Sequence, residues 1–296
     1  MRLLHVSDLH IDDGLPFLPT GRTHRKRLAG WANLRLRRAS HFADAARKVE
    51  LLGELAQEAK VDAVLCSGDY TALGTASELE KARSVIEPLT RAPGGLVTVP
   101  GNHDVYLDDA LGVFEQHFDD FLESDLPELR RDGPWPLVRL YEGVAVVCVN
   151  SARPNPPIFR SSGVIPEAQL DGLRDALAHE ALQESFVFVM THYAPRLASG
   201  RPDSASHGLE NANALLDACA AIRFGAIVHG HVHKCYSVND PRCTIPLFSS
   251  GSTTQKGHEG LWLYEIEGER ARAYRGRFNG QRYELATAPE RNWSHQ

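Results

Sequence analysis

The chain of 296 residues has little sulfur, with five cysteines and two methionines. Cys66, Cys148, Cys219, Cys235 and Cys243 form no C-x-x-C pair and are odd in number. That argues against a thiolate metal site and against a disulfide framework, and reads as a reduced, intracellular chain. Long apolar runs are also missing. No stretch approaches the roughly 20 residues that cross a bilayer, and the opening "MRLLHVSDLH" has no signal-peptide series. A cytoplasmic location is therefore expected. Positive charge is in deficit, with 32 Lys and Arg against 38 Asp and Glu and a formal charge of -6. This gives no strong signal for nucleic acid and excludes a global electrostatic attraction to anionic membrane. Repeats, low-complexity tracts and long linkers are absent as well, so a single domain over 1–296 is expected, large enough to bury a substantial core.

What is there is an alternation of short apolar runs with longer amphipathic stretches, the rhythm of an α/β fold. Strands are expected at 2–6, 62–66, 95–99, 136–140, 144–149, 186–190, 225–229 and 244–248, with a closing pair in 261–276. Helices are expected at about 40–59, 77–91, 107–122, 166–182 and 210–222, where apolar residues recur at helical spacing.

Polar residues collect where the strands stop. Strand 2–6 runs into Asp8 and His10, strand 62–66 into Asp69, and strand 95–99 into Asn102, His103 and Asp104. After 186–190 comes His192, and after 225–229 come His231 and His233. The carboxyl ends of strands in an open α/β sheet form the ligand crevice, so five ends carrying Asp, His or Asn converge on one site. Side chains two apart on an extended segment point the same way, which pairs Asp8 with His10 and His231 with His233. Carboxylate, imidazole and amide without thiolate suit manganese, zinc or iron better than calcium, magnesium or copper(I). These candidates exceed the needs of one ion and fill two sites if a carboxylate bridges them. Such a pair is the clamp used for in-line displacement at phosphorus.

The segments "SDLH" at 7–10, "SGD" at 67–69, "GNHD" at 101–104, "THY" at 191–193 and "GHVH" at 230–233 resemble, in order and spacing, the five signatures of the calcineurin-like metallophosphoesterase superfamily. The resemblance implies a four-layer α-β-β-α sandwich of two mixed sheets flanked by helices. It implies two divalent or trivalent transition-metal ions, the first held by Asp8, His10 and His233, the second by Asn102, His192 and His231, with Asp69 bridging. His103 becomes the acid that protonates the departing group after hydroxide attack, and Asp104 the carboxylate that orients its ring. The sequence "GDYTALG" with "GNHD" is unlike the protein serine/threonine phosphatase pattern and more like the bacterial cyclic-nucleotide phosphodiesterase branch. The implied activity is hydrolysis of a small, nucleotide-like phosphodiester or phosphomonoester. Pyrophosphate hydrolysis on a lipid-linked or nucleotide-sugar substrate is the alternative, and a nuclease or a non-catalytic protein-binding scaffold are minor ones.

His229 lies within an apolar run and His5 within a strand; both read as core or supporting residues, and Asp12 and Asp13 read as solvated. His207 and His258 sit beside glycine in loops and read as surface residues within reach of substrate. Between Gly14 and Ala43 there is no acidic residue. Arg22, Arg25, Lys26, Arg27, Arg35, Arg37 and Arg38 alternate there with Phe17, Leu28, Trp31, Leu34 and Leu36. This basic amphipathic insertion, following Asp8 and His10 directly, is expected either to dock its apolar face near the mouth of the site or to touch an anionic membrane or lipid.

Overall fold

The computed structural model describes residues 1–14, 25–110 and 112–294. Phe17 and Arg22 lie outside the described residues, as do the side chains of Arg37 and Arg38. The described strands in chain order are β1 (Arg2–Val6), β2 (Ala63–Cys66), β3 (Leu96–Thr98), β4 (Leu137–Tyr141), β5 (Val144–Cys148), β6 (Phe186–Met190), β7 (Gly225–His229), β8 (Cys235–Asp240), β9 (Cys243–Ser250), β10 (Leu261–Glu267), β11 (Arg270–Phe278), β12 (Tyr283–Leu285) and β13 (Arg291–Trp293). The described α-helices are α1 (Arg25–Asn33), α2 (Ala39–Phe42), α3 (Ala45–Glu58), α4 (Ala76–Val85), α5 (Val113–His117), α6 (Glu167–Ala178), α7 (Glu180–Gln183) and α8 (Ala212–Cys219).

The strands form two mixed sheets. One has the order β12-β11-β10-β1-β2-β3, with β13 also paired to β11; the other has the order β4-β5-β6-β7-β9-β8. In the first, β1, β2 and β3 are parallel and β10 returns antiparallel beside β1. In the second, β5, β6, β7 and β9 are parallel. Alternation along the second sheet divides its side chains. Val144, Val146, Cys148, Phe188, Met190 and Val228 join the core shared with the first sheet. Ala145, Val147, Val187, Val189 and Ile227 pack with Leu170, Leu173, Leu215 and Leu216 of α6 and α8. A sheet covered on both faces has no polar face, which is why its strands read as unbroken apolar runs. The first sheet is covered in turn by α3, whose Val49, Leu52 and Leu55 point inward, and by Leu79 and Ala82 of α4. The result is the expected four layers.

All eight expected strand regions and the closing pair are present, with β8, β12 and β13 in addition. The helices are shorter than their apolar periodicity predicts. The stretch 77–91 leaves the α-helix at Val85 and continues as a 3-10 turn over Glu87–Arg91, because Pro88 has no N–H to carry the ladder on. The stretch 166–182 breaks at His179, whose extended backbone ends α6 and whose Nδ1 caps α7 by accepting from the Ala181 N–H. The stretch 107–122 resolves into 3-10 turns on either side of α5. No described helix is long and apolar enough to cross a membrane.

The basic insertion forms α1, a π-helical turn over Leu34–Arg38, and α2. Three of its cations turn inward, while Arg25 is exposed. Lys26 donates to the Asn155 and Arg160 carbonyls at 2.6 and 2.8 Å, Arg27 grips Asp109 at 2.6 and 2.8 Å, and Arg35 meets Asp12 at 3.0 Å. Leu34 packs with Leu73, Tyr106 and Leu107.

Candidate metal centre

The parallel strands β1, β2, β3, β6 and β7 end on one edge of the sandwich, and their following loops are laced together. Asp8 N–H donates to Gly68 O at 2.9 Å, His10 N–H to Asp69 O at 3.0 Å, and Gly230 N–H to His192 O at 3.0 Å. The two sheets meet at Gly230, where a Cβ would stand 1.9 Å from Ser7 Oγ and 2.4 Å from Asp8 Oδ2. Only glycine allows that approach. Gly101 is constrained in the same way, its missing Cβ lying 2.1 Å from Asp69 Oδ1.

All seven residues expected as ligands are brought together. Asp8, His10, Asp69 and His233 offer ligand atoms that all lie within 4.8 Å of one another. His233 Nε2 is 3.0 Å from Asp8 Oδ1 and 3.1 Å from His10 Nε2. Asn102 Oδ1 lies 3.1 Å from His192 Nε2 and 2.8 Å from His231 Nδ1. Asp69 stands between the groups, its Oδ2 3.8 Å from His10 Nε2 and its Oδ1 3.5 Å from His192 Nε2.

The geometric reason for the two-residue spacing differs from the expected one. The strands have ended, and Asp8, His10, Asp69, His231 and His233 hold positive φ of 56°, 46°, 58°, 73° and 51°. Non-glycine residues avoid this left-handed region, at a cost of about 1–3 kcal/mol each where the surroundings enforce it. Lys60 is the one other non-glycine residue with positive φ among those described. Strain is thus concentrated at the site.

Each histidine is oriented by a carbonyl. His10 Nδ1 faces Thr71 O at 3.1 Å, His192 Nδ1 faces Ser67 O at 2.7 Å, His231 Nε2 faces His207 O at 2.9 Å, and His233 Nδ1 faces Gln255 Oε1 at 2.5 Å. A ring nitrogen opposite a carbonyl must carry the proton, so the second nitrogen of each ring turns a lone pair inward. Burial favours these neutral rings, lowering the His192 and His231 pKa values. Burial opposes the charge of Asp8, and only positive charge beside it, on His233, His192 and His10 or on a cation among them, holds its carboxyl far below the usual range. Asp8 Oδ2 accepts from the His231 N–H at 3.0 Å, whereas the buried Oδ1 has no hydrogen-bond donor. Lone pairs facing a carboxylate and an amide oxygen at about 3 Å repel unless a cation lies among them. The donor set therefore fits metal ions, with nitrogen and oxygen ligands and no thiolate.

His103 lies beside this group, its ring 4.8 Å from that of His10. The expected Asp104 contact is corrected. His103 Nδ1 bonds Ala72 O at 2.5 Å, while the Asp104 carboxylate accepts from the N–H groups of Tyr70, Thr71 and Gly101 at 3.2, 3.0 and 2.9 Å and from Thr71 Oγ1 at 3.0 Å. Asp104 holds the loop of Asp69 against the loop of Asn102; burial pushes its carboxyl up to about 6, partly offset by those N–H groups.

A cavity of about 810 Å³ opens on Asp69, Asn102, His103, His231 and His233, with Asp203 and His207 also in its lining. His207 stacks on His231 at 4.2 Å and bonds Asp203 at 2.7 Å, so a residue read as surface stands at the site. The backbone carbonyls of Ser67, Thr71 and Ala72 carry no sequence signal, since a carbonyl is identical in every residue, and Gln255 lies outside the five motif segments. His229 and His5 are buried behind the site and belong to none of the ligand clusters, their pKa values pushed down by burial to about 4 and about 3. The insertion covers one side, where the Phe42 ring is 4.8 Å from His10 and Leu34 packs on Tyr106, whose ring is 5.6 Å from His103.

A family model described as calcineurin-like phosphoesterase matches residues 1–235. No curated protein matches the chain in sequence. Among solved structures, a dimetal phosphatase from Danio rerio is 14% identical with a TM-score of 0.62, covering 97% of this chain and 99% of its own. Purple acid phosphatase PPD1 from yellow lupin seeds is 13% identical with a TM-score of 0.62, covering 96% of this chain and 53% of its own. GAP50 of Plasmodium, described as the anchor in the inner membrane complex, is 9% identical with a TM-score of 0.50, covering 100% of this chain and 88% of its own. At such identities these likenesses concern the fold alone. The family model runs through all five motif segments, and on that match the chain belongs to the calcineurin-like phosphoesterase family.

Proposed function

We propose that the protein is a dinuclear-metal-dependent phosphoesterase acting on a small, nucleotide-like phosphodiester or phosphomonoester. The observation that carries this reading is the position of Asp69, whose two oxygens face different histidines, Oδ2 toward His10 and Oδ1 toward His192. Asp8, His10 and His233 would hold one ion, and Asn102, His192 and His231 the other, with Asp69 reaching both. When bound, such a pair neutralises charge on phosphoryl oxygens and acidifies water for attack at phosphorus. Manganese, iron and zinc suit the donors. His103, fixed through Nδ1 on Ala72 O, lines the cavity and delivers a proton from Nε2 to the departing oxygen. A cavity of about 810 Å³ is within the range of sites for small organic ligands. The scaffold reading calls for gaps in the ligand set, and each expected ligand position carries an Asp, His or Asn in the sequence.

The test combines metal analysis with hydrolysis of mono-aryl and bis-aryl phosphates. Asp69→Ala is expected to lose both metal and turnover. His103→Ala is expected to keep its metal and lose about 10²–10⁴-fold in turnover on a poor leaving group. Unchanged hydrolysis in both variants would sink the reading.

A second reading, a lipid-linked pyrophosphate, is favoured by two exposed apolar residues in the loop that carries Ser161 of the cavity lining. Phe159 is 94% exposed and Ile158 46% exposed, beside Arg160, whose carbonyl holds Lys26 of α1. Phe159→Ser is then expected to slow hydrolysis of vesicle-borne lipid phosphates while sparing cyclic nucleotides and nucleotide sugars; equal effects on all three speak against it.

A further inference from the structure

The end of the sandwich opposite the metal centre holds a second cavity, of about 670 Å³, at the starts of β6 and β7. Both strands are five residues long and lead at their other ends to His192 and His231. At roughly 3.3 Å per residue the cavity is therefore about 16 Å or more from the centre.

Its inner wall is built by β13. Trp293 donates from Nε1 to Gly225 O at 2.9 Å and packs its ring against Phe186, Phe248 and Tyr264 at 6.0, 5.1 and 6.3 Å. Arg291, two residues earlier on the same strand face, lies with its guanidinium 5.8 Å over the Phe248 ring. Asn239 Oδ1 is the side-chain acceptor it meets. Three neighbouring carboxylates are committed to other cations, Glu290 to Arg275, Glu265 to Arg2 and Arg272, and Glu267 to Arg272, while Glu269, also in the lining, forms no ion pair among the described residues. Arg291 forms no ion pair among the described residues, and burial works against its charge. Its guanidinium spends one of five donors on Asn239, which leaves the others for a ligand in the cavity. Arg223 and Arg270 line the same cavity and likewise form no ion pair among the described residues.

We propose that this cavity is a second binding site, for a small ligand whose phosphate or carboxylate group is gripped by Arg291, with Arg223 and Arg270 at the entrance. The guanidinium fork matches two oxygens of either group. Trp293 offers an apolar wall for the rest of the ligand.

Inorganic phosphate and succinate serve as probes by calorimetry, each with metal-loaded wild type, Asp69→Ala, Arg291→Gln and Arg270→Gln. The Asp69 variant is expected to retain one binding event, since the second site does not depend on metal. Arg291→Gln is expected to weaken that event about tenfold or more while hydrolysis of an aryl phosphate stays at the wild-type rate. Arg270 is exposed, so its variant is expected to weaken binding without any effect on folding. Phosphate bound where succinate is not assigns the site to phosphorylated ligands, and the reverse to carboxylates. The proposal fails if neither probe binds the Asp69 variant, or if both Arg variants bind as wild type does.

Discussion

At the scale of single residues, the centre depends on side chains held where they are by groups outside the motifs. His233 is the clearest case, because its Nδ1–H is taken by Gln255 Oε1 at 2.5 Å, and only then does Nε2 face Asp8 and His10. Orienting partners of this kind are worth about 10–100-fold in metal affinity. Gln255→Ala is expected to weaken metal binding by that factor, read by competition with a chromophoric chelator, while Gln255→Glu, which keeps an acceptor, stays closer to wild type. Identical affinities in all three proteins would remove Gln255 from the site. Asp104 illustrates the converse. The motif includes it, but its carboxylate is consumed by three backbone N–H groups and a hydroxyl, so its part is to brace two loops rather than to touch the His103 ring.

At the scale of elements, α4 joins the floor of the site to the outer layer. Thr75 and Glu78 form a capping box at its start, and Glu78 also accepts from the Leu73 N–H at 2.8 Å. Burial pushes the Glu78 carboxyl up to about 8, against the pull of the Leu73 and Thr75 N–H groups, with Asp13 adding to the rise. A raised acid keeps its proton in the folded protein after the unfolded chain has released it. Its effect on stability is therefore absent below the ordinary value of 4.5 and becomes a loss as pH climbs from there to about 8, by at most about 1.4 kcal/mol per pH unit. Glu78→Gln keeps an acceptor for both N–H groups and has nothing to ionise. It is expected to melt above wild type at about pH 9 and to match it near pH 4.5. A constant difference across that range would contradict the raised value.

At the scale of the whole molecule, two sheets contribute to one polar cluster, so the cluster is a joint between them. Asp8, His10, Asp69 and Asn102 come from the first sheet, and His192, His231 and His233 from the second. Ions that bind the folded chain alone stabilise it by mass action, about 2.7 kcal/mol at one hundred times the dissociation constant. Manganese or zinc is expected to raise the melting temperature by several degrees over chelator-treated protein, and Asp69→Ala is expected to lose most of that rise. A melting temperature indifferent to metal would mean that the joint holds without ions.

The five strand ends and their Asp, His and Asn residues were legible in the sequence because apolar runs and the polar residues after them are local patterns. The four layers follow from the family resemblance and from runs too apolar to face water. Less was legible where distant backbone decides. Pro88 and His179 cut helices that periodicity alone prolongs, and the left-handed turns at Asp8, His10, His231 and His233 replace the extended geometry that their spacing suggests. β13 is three residues long and has no strand pattern of its own; pairing with β11 and the seating of Trp293 create it. What the amino-acid order determined by itself was the kind of chemistry, since ligand types and their sequence follow from side-chain identity. What tertiary structure alone decided was which ring nitrogen faces inward and which arginine meets no carboxylate among the described residues, since each depends on atoms brought together from distant parts of the chain.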